Sequence, residues 1–363
     1  MIDLASALAG AVVMAPMTKG SNLPYRQLAV ELGARVLVSE MAVARRLKQR
    51  RRGEFALIRR FEGEPCFGVQ LAGNSPDEMA WAAALVASRG ADFVDVNLGC
   101  PIDQFTRKGL GAALGRQPQR VKRIVEAMRQ AIDPVPVTVK IRLGWDDEHL
   151  NYLSLAQAAV DGGASAIFVH GRTRDARYRY AANWDAIGEV ASVVPVPVVG
   201  NGDILFPRDV DAARARSQCA GVMTARGALI KPWLFREAAQ GAYEDISAEG
   251  RLALYERYVA LAKRHWGEDD HGLTRVRDFT RWHMTFWCRY RPAHPDGTFP
   301  SMQERDGPFD ARSPLDALLA RTDALAHDYI TECLVAGRSV EPDRVPPSPQ
   351  SVDRDEASLP VNG

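Results

Sequence analysis

Between residue 11 and about residue 240, short β-rich runs alternate with longer stretches in which apolar residues recur at helical spacing. The runs lie at 11–15, 35–39, 66–71, 92–97, 136–141, 165–170, 195–200 and 219–223, and a helical pattern follows each, as in Pro76–Arg89, Pro118–Ala131, Tyr152–Gly162 and Pro207–Ala215. Eight β/α units in about 230 residues predict an α/β fold, a (β/α)8 TIM barrel. A doubly wound sheet competes with that reading, but no G-x-G-x-x-G follows the first run. The apolar start from Leu4 to Met17 lacks a basic leading segment, carries Asp3 and runs straight into a strand-like Val12-Val13-Met14-Ala15-Pro16, so it is read as a first strand, not as a signal peptide.

Around residue 243 the alternation stops. Residues 249–290 and 313–337 read as amphipathic helices with no strands between them, joined by an irregular loop, Arg291–Arg312. The expected division is a barrel over 1–242, a small all-α helical domain over 243–338 and a disordered tail over 339–363. The tail holds Pro342, Pro346, Pro347, Pro349 and Pro360 and no aromatic residue.

Composition changes this picture little. A hydrophobic share of 46% and a charged share of 25% are those of an ordinary globular chain, and a net charge of +1 predicts no partner. Charge is uneven locally: Arg45, Arg46, Lys48, Arg50, Arg51 and Arg52 fall within eight residues. Such a run can grip a polyanion, although it is more often a solvated helix face. The five cysteines, Cys66, Cys100, Cys219, Cys288 and Cys333, form no C-x-x-C pair. That pattern predicts a reduced, cytoplasmic protein without a structural metal, and no run approaches a membrane span.

In a barrel enzyme, chemistry gathers where the strands end. The first run ends at Pro16-Met17-Thr18, the second at Ser39-Glu40, the third at Gln70 and the fourth at Asn97-Leu98-Gly99-Cys100-Pro101. The rest end at Lys140-Ile141-Arg142, His170-Gly171-Arg172, Asn201-Gly202-Asp203 and Thr224-Ala225-Arg226-Gly227. Singly, each has a structural explanation; eight polar ends in register are harder to dismiss. Gln70 offers an amide donor and acceptor to a flat heterocycle, and Lys140 a cation for negative charge on a reduced ring. Glycine-containing loops after the seventh and eighth runs suit a phosphate that Arg226 would pair bidentately. A flat ring plus a phosphate points to FMN. Cys100, in a tight Gly-Cys-Pro turn, would be largely protonated at neutral pH and suited to giving up a proton.

Ala15-Pro16-Met17, Val69-Gln70-Leu71, Val96-Asn97-Leu98-Gly99-Cys100-Pro101, Val139-Lys140-Ile141-Arg142, Val169-His170-Gly171-Arg172-Thr173 and Gly200-Asn201-Gly202-Asp203 resemble the blocks of the dihydrouridine synthases. The likeness covers residues 11 to about 290. Ser39-Glu40-Met41, Cys100-Pro101-Ile102-Asp103 and Arg226-Gly227-Ala228-Leu229-Ile230-Lys231-Pro232-Trp233 are most similar to a eukaryotic branch that carries a CCCH zinc-finger region, which this sequence lacks. The resemblance implies that NADPH reduces FMN and leaves, and that RNA then enters the same mouth with a uridine flipped out. Hydride goes to uracil C6, and Cys100 protonates C5. By the same likeness Pro16, Met17, Thr18, Gln70, Lys140, His170, Asn201, Gly202, Asp203, Ala225 and Arg226 hold FMN, and Asn97, Lys140 and Arg172 position the uracil. Glu40 and Arg142 are expected either to act there or only to pair with each other.

The implied substrate is tRNA or another structured RNA, and the implied protein a monomer. In the helical domain, Val276, Phe279, Trp282, His283, Phe286, Trp287 and Tyr290 share one face at helical spacing, which places Arg277 and Arg281 on an opposite, solvent-facing side suited to phosphates. Three other readings stay open: an FMN reductase for a small pyrimidine-like molecule, a Schiff-base aldolase using Lys140, and a non-catalytic RNA chaperone on a barrel scaffold.

Overall fold

The β-rich runs form the strands they predict, and those strands close on themselves. In the computed structural model, which describes residues 2–304 and 309–346, β1 (Val12–Met14), β2 (Val36–Val38), β3 (Cys66–Ala72), β4 (Phe93–Leu98), β5 (Val137–Arg142), β6 (Ala166–His170), β7 (Val198–Asn201) and β8 (Gly221–Thr224) run parallel. Each pairs with the next, and β1 also pairs with β8, which makes the ring of a (β/α)8 barrel. Both faces of such strands are covered, so their apolar residues do not alternate with polar ones. Val13, Val38, Phe93, Phe168, Val199 and Met223 fill the barrel's interior. Val69, Val96, Val139 and Val169 pack outward against helix residues such as Met79, Val86, Ile124 and Met128. A two-residue strand, Ala42–Val43, pairs with the mouth end of β3.

The start of the chain corrects the sequence reading. Asp3 accepts the Ala5 and Ser6 amide hydrogens and caps a short helix, α1 (Leu4–Leu8), ahead of β1. Leu4 and Leu8 join the interior cluster, and a side chain at Gly221 would meet the Leu8 carbonyl at 2.5 Å. The helix therefore stops the base of the barrel, and the polar strand ends lie at the opposite end.

The helical region packs on the first β/α unit. Helix α2 (Leu23–Glu31) follows β1, and α3 (Ala248–Trp266), α4 (Asp270–Trp287), α5 (Pro314–Leu319) and α6 (Ala324–Ala336) follow the barrel. Ser247, Asp269, Ser313 and Asp323 cap the last four of these. Helix α3 lies on α2, and α4 lies between α3 and α6. One continuous core runs through both parts: Tyr25, Leu28, Phe206, Leu229 and Trp233 pack with Tyr255, Tyr258, Val276 and Trp287. Ring stacking welds it, Tyr255 on Trp287 at 4.1 Å and Tyr25 on His283 at 4.3 Å. Of the predicted tail, Val345 is buried in this same core and Arg321 donates to the Pro346 carbonyl at 2.7 Å, so its first residues are packed; 347–363 lie outside the described residues.

Candidate active site at the barrel mouth

Strand register brings the predicted residues side by side. Gln70 is opposite Asp95, Asn97 opposite Lys140, Arg142 opposite His170, and His170 opposite Asn201. From these positions a hydrogen-bonded chain crosses three strands. Asp95, buried on β4, accepts from Thr138 Oγ1 at 2.8 Å and from Gln70 Nε2 at 2.7 Å. Gln70 Oε1 accepts from Asn97 Nδ2 at 2.7 Å, and Asn97 Oδ1 accepts the Cys100 amide hydrogen at 3.0 Å. An ionised carboxylate can only accept, so Asp95 fixes which end of each amide points where. The direction of the chain, from Asp95 to the Cys100 backbone, is thereby set.

Cys100 is half-buried in the turn after β4. Gly111 makes room for it: a side chain there would meet the Cys100 carbonyl at 2.7 Å, and the Gly111 φ of +60° is one that glycine adopts freely. Burial pushes the Cys100 thiol above its ordinary pKa, against the weaker pull of the Ile102 amide, Arg142 and Lys140. It therefore holds its proton at neutral pH. Lys140 donates to Asn201 Oδ1 at 3.0 Å, and Asn201 Nδ2 donates to the Met223 carbonyl at 2.8 Å. Burial, reinforced by Arg142, lowers the Lys140 pKa to about 8. Burial raises that of Asp95 to about 6, with Gln70, Thr138 and Lys140 pulling the other way.

A second cluster joins the loops after β6, β7 and β8. Arg172 donates to both Asp203 carboxylate oxygens at 2.6 Å and to the Tyr180 carbonyl at 2.6 Å. It also meets His170 Nε2 at 3.2 Å. Arginine only donates, so His170 Nε2 accepts and its ring proton is assigned to Nδ1. Burial first, and then the cations around it, hold the imidazole neutral, well below its usual pKa. Gly202 and Asp203 turn through φ of 140° and 56°, and a side chain at Gly202 would meet Ala182 Cβ at 2.4 Å. Arg226 reaches Asp203 Oδ1 at 3.4 Å and lies over the Tyr178 ring at 4.1 Å. Ala225 precedes it, half-buried. In the β1 loop Pro16 and Met17 are half-buried and Thr18 exposed, with the Met17 amide held by Ser21 Oγ at 2.9 Å.

The structure bears on three further expectations. Arg172, expected at the uracil, is 3% exposed and also holds its own loop to Asp203 through the bonds above. Glu40 and Arg142 do not pair: Glu40 accepts the Lys19 amide hydrogen at 2.6 Å, while Arg142 donates to the Gly99 and Thr173 carbonyls at 2.7 and 3.0 Å. Arg277 and Arg281 are partly exposed but not free, because acids of α6 reach them. Arg277 pairs with Glu332 at 3.1 Å and Arg281 with Asp328, and both arginines stay only half-exposed. The predicted apolar face of α4 divides, with Val276, His283, Trp287 and Tyr290 buried and Phe279, Trp282 and Phe286 half-buried.

Sequence reasoning missed Asp95 and Tyr178. Asp95 had a usable signal: it stands two residues before Asn97, so the two share a face of β4. Tyr178 lies in a loop without periodicity and had none.

The sequence model of the dihydrouridine synthases (Dus) matches residues 13–286. This chain belongs to the dihydrouridine synthase family. Among its relatives, a tRNA-dihydrouridine(47) synthase [NAD(P)(+)] of Malassezia globosa is 36% identical over 88% of this chain and 45% of its own length. The enzyme of that name from Cryptococcus neoformans var. neoformans is 39% identical, covering 86% and 45%. A human tRNA-dihydrouridine(47) synthase [NAD(P)(+)]-like protein is 38% identical, covering 90% and 50%. The chain thus spans about half the length of the curated relatives it matches. A solved 2-naphthoyl-CoA reductase complex shares the fold alone, with a TM-score of 0.50 and 11% identity over 65% of this chain and 50% of that one. Within the family's barrel, the mouth has the donors a flavin needs: the amides of Gln70, Asn97 and Asn201, and an ammonium on Lys140 that gives one hydrogen bond to protein among the described residues and carries three N–H groups. Among the described residues no group of three or more His, Cys, Asp and Glu side chains could hold a metal, and no helix is long and apolar enough to cross a membrane.

Proposed function

We propose that this chain reduces the C5–C6 double bond of uridine in tRNA, using FMN and NADPH, and does so in the cytoplasm. The observation that carries this reading is the placement of a protonated thiol on a backbone anchored to the mouth: Cys100 hangs from Asn97, whose strand neighbour is the cation Lys140. FMN, held by Gln70, Lys140, His170, Asn201 and Arg226 with the Pro16–Thr18 loop and the Gly202–Asp203 turn against it, would supply the hydride.

The protein's own part is proton and charge control. The Cys100 thiol keeps a proton at neutral pH and delivers it to C5 of the uracil, leaving a thiolate that solvent reprotonates. Lys140 stabilises negative charge at the mouth while its ammonium stays protonated. Asn97 has its Oδ1 committed to Cys100 and one Nδ2 hydrogen to Gln70, so its second Nδ2 hydrogen is left to meet a uracil carbonyl. Arg172 serves through the loop it fixes.

The test is direct. Purified protein, an unmodified tRNA transcript and NADPH should give RNA whose digest contains dihydrouridine, and denaturation should release FMN. Lys140→Ala should lower flavin occupancy. Flavin-loaded protein that oxidises NADPH yet leaves every uridine of the transcript intact would overturn the RNA substrate.

A further inference from the structure

The basic run between β2 and β3 takes no part in the site described above, and its fold shows which of its charges are usable. Ala44 and Leu47 are buried and hold the short helix Ala44–Lys48 on the barrel wall. Arg45, Lys48, Arg50, Arg51 and Arg52 are exposed. Arg46 has an acid, Glu54 at 3.1 Å, whose other oxygen is taken by the Val43 amide hydrogen at 2.7 Å. No carboxylate pairs with the remaining five among the described residues. Elsewhere the chain pairs its arginines readily, as Arg277 and Arg281 on α4 show.

Placement is the second observation. Ala42 and Val43 pair with Leu71 and Ala72, just beyond Gln70, and Glu40 holds the Lys19 amide from the β1 loop. At its far end the segment is tied to the base, where Arg60 donates to the Gly90 carbonyl at 2.6 Å and pairs with Asp92 ahead of β4. The chain therefore descends the outer wall from mouth to base, and its unpaired cations begin within a turn of the rim.

Backbone strain is the third. The helix Ala44–Lys48 ends in a Schellman turn, with Arg50 N–H on the Leu47 carbonyl at 2.8 Å and Arg51 N–H on the Arg46 carbonyl at 3.1 Å. Arg50 occupies the left-handed position of that turn at φ 57°, where glycine is the usual residue. Its side chain is exposed, so no packing explains why an arginine stands there.

We propose that Arg45, Lys48, Arg50, Arg51 and Arg52 form a phosphate-gripping rim that holds the backbone of the RNA presented to the barrel mouth. The proposal rests on the RNA reading above and assigns the grip to the barrel wall instead of α4. Exposed cations with no internal acids are free to exchange counterions for phosphates, which makes such binding strongly salt-dependent.

The test uses the full-length holoprotein and an unmodified tRNA transcript, with affinity measured across a series of KCl concentrations. Combined Arg45→Gln, Lys48→Gln, Arg51→Gln and Arg52→Gln replacements should weaken binding about 10- to 100-fold and flatten the salt slope by about 0.7 to 0.9 for each phosphate that is no longer neutralised. Flavin content and NADPH oxidation should be unchanged. Arg50→Gly provides a separate discriminator, since it relieves the left-handed strain: its Tm should be no lower than wild type while RNA affinity falls about three- to tenfold. Wild-type protein that fails to bind the transcript would sink the RNA reading itself. Wild-type binding with unchanged affinity and slope in both variants would overturn the rim alone and leave these cations to an acidic protein surface.

Discussion

In the helical layer, Arg251 and Asp316 are buried against each other between α3 and α5, and just ahead of that layer Lys231 meets Glu237 at 2.5 Å with both side chains out of solvent. At the barrel mouth, Asp95 is as deeply buried, yet its partners are neutral amides that lead outward to Cys100. The first arrangement meets each charge with an opposite one where it stands, and Asp316 is shared with Arg312, which reaches on to Asp245 at 2.7 Å. The second is open-ended, with polarity carried from an interior carboxylate to Cys100, the proposed proton donor. A closed pair fixes geometry and contributes nothing to reaction chemistry; an open chain costs burial of a charge and is retained where direction matters.

Breaking each kind should therefore give different phenotypes. The largest effect belongs to the end of the open chain. Cys100→Ala should lower dihydrouridine formation by about two to four orders of magnitude, with flavin content, NADPH oxidation and Tm nearly unchanged; a variant that still forms product normally would make the thiol structural. Next comes the closed pair. Asp316→Ala strands Arg251, releases Arg312 from the same carboxylate and should cost about 3–5 kcal/mol of stability in urea titration. Arg251→Met combined with Asp316→Leu should recover much of that loss, and turnover per folded molecule should follow wild type in both.

Asp95→Asn sharpens the comparison, because asparagine offers a donor as well as acceptors and no longer dictates the direction of the amides. Its kcat/KM should fall about 10- to 100-fold, the scale of losing a residue that orients others. The wild-type pH profile should be bell-shaped. Activity declines as pH falls through about 6, where Asp95 protonates, and as it rises through about 8, where Lys140 loses its charge. Asp95→Asn should lose the acid limb and keep the other. The same group enters stability with the opposite sign to an ordinary paired carboxylate. Its folded pKa is raised, so the folded state holds a proton that the unfolded chain releases; that contribution favours folding at low pH and is lost as pH rises through about 6. The smallest effect belongs to the exposed pairs of α4 and α6. Replacing Arg277 and Arg281 together by Ala should cost about 1 kcal/mol or less and leave RNA affinity near wild type, as measured by filter binding.

The two regions also differ in how much of them could be read from the chain. Parallel strands buried on both sides produce apolar runs, and the runs end where the mouth opens; Gln70, Asn97, Lys140, His170 and Asn201 therefore appear together at run ends and together in space. The tie between Arg172 and Asp203 was not legible, because the two stand on successive β/α units and only the folded barrel brings their loops together. Helix α1 was hidden because a five-residue apolar stretch carries too little periodicity to separate helix from strand, although Asp3 was a legible cap. On α4 the spacing showed which residues share a face without showing which faces another helix covers. The answer was present on α6, where Asp328 and Glu332 repeat the four-residue spacing of Arg281 and Arg277 with opposite charge.

The stopper formed by Leu4 and Leu8 has a kinetic consequence. With the base closed and the interior filled by packed side chains, the strand ends are reached, among the described residues, through the mouth. Under the function proposed above, a nicotinamide donor and a folded RNA would each need that doorway and would use it by turns. Double-reciprocal plots of rate against one of them, at fixed levels of the other, should give parallel lines.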